Sequence, residues 1–142
     1  MFKTKGGKTV YEKGGIAPDY FIPVDTAAYS RNTAEIYDKE IVDRFVYNFF
    51  LQNQAFLKTF KTPGDFINGF NVTDEQWKLF VGLAAKDSVN ISTASARERA
   101  DLSVQIKSSI ARLLWRSEGF FEVMNREDEA IKKALEIIAA GN

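Results

Sequence analysis

The sequence predicts a mainly α protein, a helical bundle of about four main helices preceded by an N-terminal β arm or hairpin. Three observations lead there. Apolar residues recur at helical spacing from about Asn32 onward. Two Ser/Thr-x-x-Glu/Gln capping boxes stand ahead of apolar runs. The first thirty residues instead carry glycine pairs and prolines between short stretches of Thr, Val, Tyr and Phe, which is the composition of strands and turns.

Taken in order, residues 2–4 and 9–11 are expected to pair around Lys5-Gly6-Gly7-Lys8, because glycine pairs suit hairpin turns. Residues 20–24 read as a further extended segment, limited to a sheet edge by Pro23. Three such short strands do not bury a core unaided. The division that follows is a β arm over residues 1–30, belonging to a sheet supplied by something else, and a helical domain over residues 31–142.

Asn32 is expected to cap a helix with Glu35 in its first turn and Ile41, Phe45 and Phe49 at four-residue spacing, running on to Phe60. Thr62-Pro63-Gly64-Asp65 is expected to end it, with residues 66–70 as a bridge. Thr73 and Gln76 form a capping box for a helix carrying Trp77, Phe80, Val81 and Ala84, and residues 87–91 form a polar break. Ser95 and Glu98 form the second box, ahead of the stripe Leu102, Ile106, Ile110 and Leu113. Gly119 is expected to interrupt this helix. Asn125 is expected to cap a last one bearing Ile131, Ala134, Leu135 and Ile138, with Gly141 just past its end.

Composition removes several classes of function. Nineteen basic residues balance nineteen acidic ones, so no net field draws nucleic acid or an anionic membrane. Cysteine and histidine are both absent. Disulfides, thiolate metal sites, Ser-His-Asp and Cys-His catalysis and His-metal centres are therefore excluded by inventory. No segment approaches eighteen consecutive apolar residues, so no transmembrane segment is expected. Residues 1–8 lack the apolar stretch of a signal peptide, so an exported parent would carry its signal elsewhere.

Serine chemistry without histidine requires a Ser-Lys pair with the lysine held unprotonated. The nearest pairing, Ser103 with Lys107, lies one helical turn apart and reads as solvated helix surface. The carboxylate groups Asp74-Glu75, Glu98 with Asp101, and Glu127-Asp128-Glu129 all fall at expected helix starts, where acids stabilise the helix dipole. The aromatic residues Phe45, Tyr47, Phe49, Phe50, Phe120 and Phe121 read as core rather than as a peptide groove. Asn71-Val72-Thr73 and Asn90-Ile91-Ser92 match the glycosylation acceptor pattern, a short signal that recurs by chance.

Residues 2–11, followed by Gly14-Gly15-Ile16-Ala17-Pro18-Asp19, resemble a segment of the carboxy-terminal processing (tail-specific) serine peptidases, where a tyrosine- or phenylalanine-led strand, a Gly-Arg/Lys turn and a Gly-Ile-x-Pro-Asp loop lie shortly after the catalytic lysine. Residues 106–115 and 125–135 are similar to the helical tail of bacterial members. One departure is visible: Glu12 and Lys13 stand where many relatives have further glycines. The resemblance implies a periplasmic or cell-envelope parent, an endopeptidase that cuts near the C-termini of protein substrates with a Ser-Lys dyad and has a PDZ domain ahead of its core. Both dyad motifs should precede Phe2, so no catalytic, metal or cofactor-binding residue carries over to this chain. The partners it implies are the peptidase core and PDZ domain of the same parent, and the protein or peptide substrate. An arm cut off from its sheet would also expose strand edges, from which a homodimer through the N-terminal arm is expected. The alternative is an independent helical protein-interaction module with no enzyme context.

Overall fold

A computed structural model describes residues 2–3, 5–7, 9–10, 20–23 and 30–141. Two short strands, β1 (Phe2–Lys3) and β2 (Thr9–Val10), pair antiparallel with Phe2 opposite Val10. Two residues a side fall short of the expected arm, and residues 20–23 form a bend and irregular chain rather than an edge strand. The reason is the one that makes such strands dependent: with no larger sheet beside them among the described residues, nothing extends their ladder. The Gly14–Asp19 loop lies outside the described residues.

Helices dominate from Arg31, and seven segments replace the four expected. They are α1 (Arg31–Asp38), α2 (Ile41–Gln52), α3 (Gln54–Leu57), α4 (Pro63–Gly69), α5 (Asp74–Lys86), α6 (Ala96–Glu127) and α7 (Glu129–Ala139). The cap of α1 is Ser30 rather than Asn32; its Oγ accepts the Thr33 N–H, while the Asn32 side chain bonds across to the Asn90 carbonyl. The first long helix breaks at Glu40, whose left-handed backbone (φ 52°) turns α1 into α2. The break lets Ile36 and Ile41, both fully buried, face one core from two directions.

The residues expected to end that helix instead start another. Thr62 and Asp65 form a reciprocal capping box with Pro63 in the first turn of α4, where its missing N–H costs nothing. This helix aims Phe66 and Phe70 into the core, where their rings stack 4.8 Å apart. The boxes Thr73–Gln76 and Ser95–Glu98 start α5 and α6 as expected. The last helix is capped by Asp128, three residues later than expected, because its carboxylate accepts the N–H groups of Ala130 and Ile131. Gly141 follows α7 with φ 77°, a conformation open to glycine.

α6 packs mainly against α2 and α4. The core gathers Ile36, Ile41, Leu57, Phe66, Phe80, Ile91, Leu102, Ile106 and Ile110, all almost completely buried. Among the described residues no helix is long and apolar enough to cross a membrane.

α6 spans 32 residues, yet it is a hairpin of two helical arms. Trp115 (φ −132°, ψ 19°) and Arg116 (φ 56°, ψ −141°) leave the helical region. Lys107 and Val123 line one cleft, whereas in a straight helix sixteen residues would separate them by about 24 Å. Residues 96–114 and 117–127 are thus antiparallel arms, with the Arg112 guanidinium 3.9 Å above the Phe120 ring. The interruption expected at Gly119 falls at Arg116 instead. Gly119 is buried inside the second arm, and a Cβ there would lie 2.7 Å from the Ala111 carbonyl oxygen.

Candidate functional site

Two polar centres and one apolar groove stand out. The first centre is Glu98, only 5% exposed at the start of α6. Its Oε1 accepts the Ser30 N–H (2.8 Å) and the Thr33 hydroxyl (2.7 Å). Its Oε2 accepts the Ser95 N–H (2.9 Å) and the Ser95 hydroxyl (3.0 Å). The carboxylate therefore caps α6 and simultaneously fastens the residue that leads into α1, with Thr33 fully buried beside it. Hydrogen bonds from Ser30, Thr33 and Ser95 hold its pKa far below the usual carboxylate range, against the opposing effect of burial. The capping-box half is readable in the sequence; the link to Ser30 and Thr33 is not.

The second centre holds the Ser-Lys pairing. Ser103 and Lys107 are half-buried rather than solvated, because α4 covers this face of α6. They line a cleft of about 130 Å³ with Asn71, Val123, Arg126 and Glu127. Lys107 Nζ donates to the Ile67 carbonyl at 2.7 Å and to Asn71 Oδ1 at 3.4 Å. Ser103 Oγ donates to the Arg99 carbonyl at 2.7 Å. Burial lowers the Lys107 pKa, with Glu127 opposing the shift and Arg126 reinforcing it. Each group is thus engaged with a backbone carbonyl. Ile67 lies in the last turn of α4, where carbonyls lack intrahelical partners, and Arg126 bonds the neighbouring Asn68 side chain. Two cations at a helix C-terminus form a staple between α4 and the α6 hairpin. Lys107→Ala is expected to lower stability by about 1 kcal/mol, read from urea denaturation, since a charge-assisted bond to a half-buried carbonyl is lost.

Asp74, Glu75, Glu98, Asp128 and Glu129 lie at helix starts as expected, whereas Asp101 lies in the second turn of α6 and Glu127 ends that helix. Asp74 pairs with Arg99, whose hydrogen bond and charge lower its pKa. Asp101 lies 4.0 Å from Arg97, Asp128 caps α7, and Glu127 and Glu129 both reach Lys132. No group of three or more potential metal-binding side chains gathers among the described residues. In the acceptor patterns Thr73 is occupied as the cap of α5, and Asn90 Oδ1 accepts both the Ser92 N–H and its hydroxyl.

The aromatic set divides. Phe45 is buried and meets Phe80 edge-on at 5.3 Å, and Phe49 and Phe50 pack partly against the core. Tyr47 and Phe121 are more than half exposed. Phe45 and Phe49 also line an open groove of about 450 Å³ between α2 and α5, with Leu79, Leu83 and the exposed Gly82 on its other wall. Lys78 and Lys86 flank it, and neither makes an ion pair among the described residues. Sequence periodicity does not reveal this groove, because Leu79 (67% exposed) sits off the apolar stripe of α5.

Residues 33–116 match a family of unknown function, DUF8443, and the chain belongs to that family. The match spans the helices from α1 through the first arm of α6. Neither comparison with curated proteins nor comparison with solved structures returns a match.

Proposed function

We propose that this chain is the non-catalytic C-terminal region of a Ser-Lys serine endopeptidase of the carboxy-terminal processing class, and that its helical domain supports the peptidase core, substrate access or assembly. Residues 1–30 would then be a β arm completing the core sheet, and the parent would act in the periplasm or cell envelope on protein substrates. The resemblance of residues 2–11, 14–19, 106–115 and 125–135 to that class is the sequence basis. The structural observation that carries the reading is the Glu98 clamp. A buried carboxylate ties Ser30 and Thr33, at the start of α1, through one oxygen to the Ser95 cap of α6 through the other, so the first described residue of the helical domain is held fast to its longest helix. Such a clamp would give an upstream core a rigid point of attachment.

The parent, made from its full reading frame, is expected to cleave an unfolded protein near its C-terminus, whereas the 142-residue chain does not. Cleavage by the isolated chain that Lys107→Ala abolishes would overturn the assignment.

A second reading, an independent helical interaction module, is favoured by the α2–α5 groove. Its apolar floor and lysine rim suit a partner helix with acidic flanks. A synthetic amphipathic peptide of that kind should shift the NMR resonances of Leu79 and Leu83 under this second reading and leave them unmoved under the first.

A further inference from the structure

The reversal inside α6 is built from two residues, and neither is a glycine or a proline. Arg116 combines a positive φ with a strongly negative ψ, a region open to glycine and strained for an L side chain. The residues on either side, Leu113, Leu114, Ser117 and Glu118, are compatible with a helix, and no proline or glycine occurs between Arg112 and Glu118. A single continuous helix through 115–116 would remove the strain and add backbone hydrogen bonds. What it would forfeit are the contacts between the arms: Gly119 against Ala111, Phe120 beneath Arg112, Val123 in the Lys107 cleft, and Arg126 on Asn68. Beyond the second arm, little holds the end of the chain to the body. α7 has no buried residue, and Leu135 and Ile138 are 61% and 71% exposed.

We propose that α6 opens at Trp115–Arg116 into one continuous helix and that two copies of this chain exchange residues 117–139. Each second arm then packs on the first arm of its partner and restores every forfeited contact between chains. The occupant is a second copy because the surface uncovered by opening is complementary to the segment that left it, in the contacts of Ala111, Arg112, Lys107 and Asn68. Exchange of an identical element across a short, strained hinge needs no new interface. The proposal is independent of the enzymatic context above and of any pairing through residues 1–30.

The test is the mass in solution, by light scattering after size exclusion, of the full chain refolded over a range of concentrations. The wild type is expected to populate a dimer that grows with concentration. Arg116→Gly relaxes the closed hinge and weakens the straight helix, so the dimer should weaken by about tenfold or more. Deleting Arg116 leaves too few residues for the reversal and should give the dimer throughout. The exchange itself is read with a short bismaleimide on a mixture of Gln105→Cys and Met124→Cys chains, positions that line one cavity in the closed form; the absence of native cysteine keeps the reaction clean. Cross-links between chains in the dimer fraction support the exchange. A wild type that stays monomeric, an Arg116→Gly dimer as strong as the wild type, or a dimer in which the two positions never link between chains overturns it. Should the deletion unfold the protein, the Arg116→Gly comparison and the cross-link decide.

Discussion

Glu98→Ala is expected to destabilise the helical domain by about 3 kcal/mol, the upper range for leaving hydrogen-bonding groups without partners. Four donors lose their acceptor together: the N–H groups of Ser30 and Ser95 and the hydroxyls of Thr33 and Ser95. Thr33 is fully buried, so water does not readily replace the lost partner. The same carboxylate gives the domain an acid-sensitive joint. Its pKa is depressed on folding, so the unfolded chain binds the proton more readily. The stabilisation is complete above the ordinary glutamate value of about 4.5 and is lost as pH falls below it toward the folded value. Glu35 and Asp74 are shifted in the same direction by Lys39 and Arg99, but both are solvent-facing pairs and add less. Urea denaturation repeated between about pH 7 and pH 3 should therefore show a steep loss in the wild type and a shallower one in Glu98→Gln. Equal slopes for the two proteins would refute the clamp.

Replacing Gly119 should reverse the usual sign of a glycine-to-alanine change in a helix. Alanine is the better helix former by about 1 kcal/mol. At Gly119 its Cβ would meet the Ala111 carbonyl oxygen at 2.7 Å and the carbonyl carbon at 3.1 Å. Both belong to the backbone of the opposite arm and have no rotamer into which to retreat. Gly119→Ala is expected to lose about 1–2 kcal/mol net and Gly119→Val about 3 kcal/mol, as the arms are pushed apart. Gly82 supplies the control. It lies in α5 with nothing within 4 Å of the point where a Cβ would stand, so Gly82→Ala should gain up to about 1 kcal/mol. Thermal melts of the two alanine variants should move in opposite directions, and movement in the same direction would mean that the hairpin is not closely packed.

The contrast between these two glycines also marks where the sequence is readable. Local, short-range signals are legible: the boxes Thr73–Gln76 and Ser95–Glu98 fix the starts of α5 and α6 because both partners lie within four residues. Thr62–Asp65 has the same chemistry, yet Pro63-Gly64 between its members reads as a terminator and hides α4. Ile41, Phe45 and Phe49 continue a four-residue rhythm back toward Tyr37, which hides the left-handed turn at Glu40. Gly119 reads as a breaker because glycine usually serves a turn; here it serves close approach, and Arg116 makes the turn. The clamp is beyond any local pattern. Glu98 stands 68 residues from Ser30 and 65 from Thr33, and only the packed fold brings them together.

The most direct check on the proposed role is the intact mass of the protein in the cells that make it, with peptide mapping of whatever lies ahead of Phe2. The account predicts a polypeptide much longer than 142 residues, with a PDZ-like region and a serine and a lysine upstream whose substitution abolishes cleavage. A natural product that consists of these residues alone would contradict it.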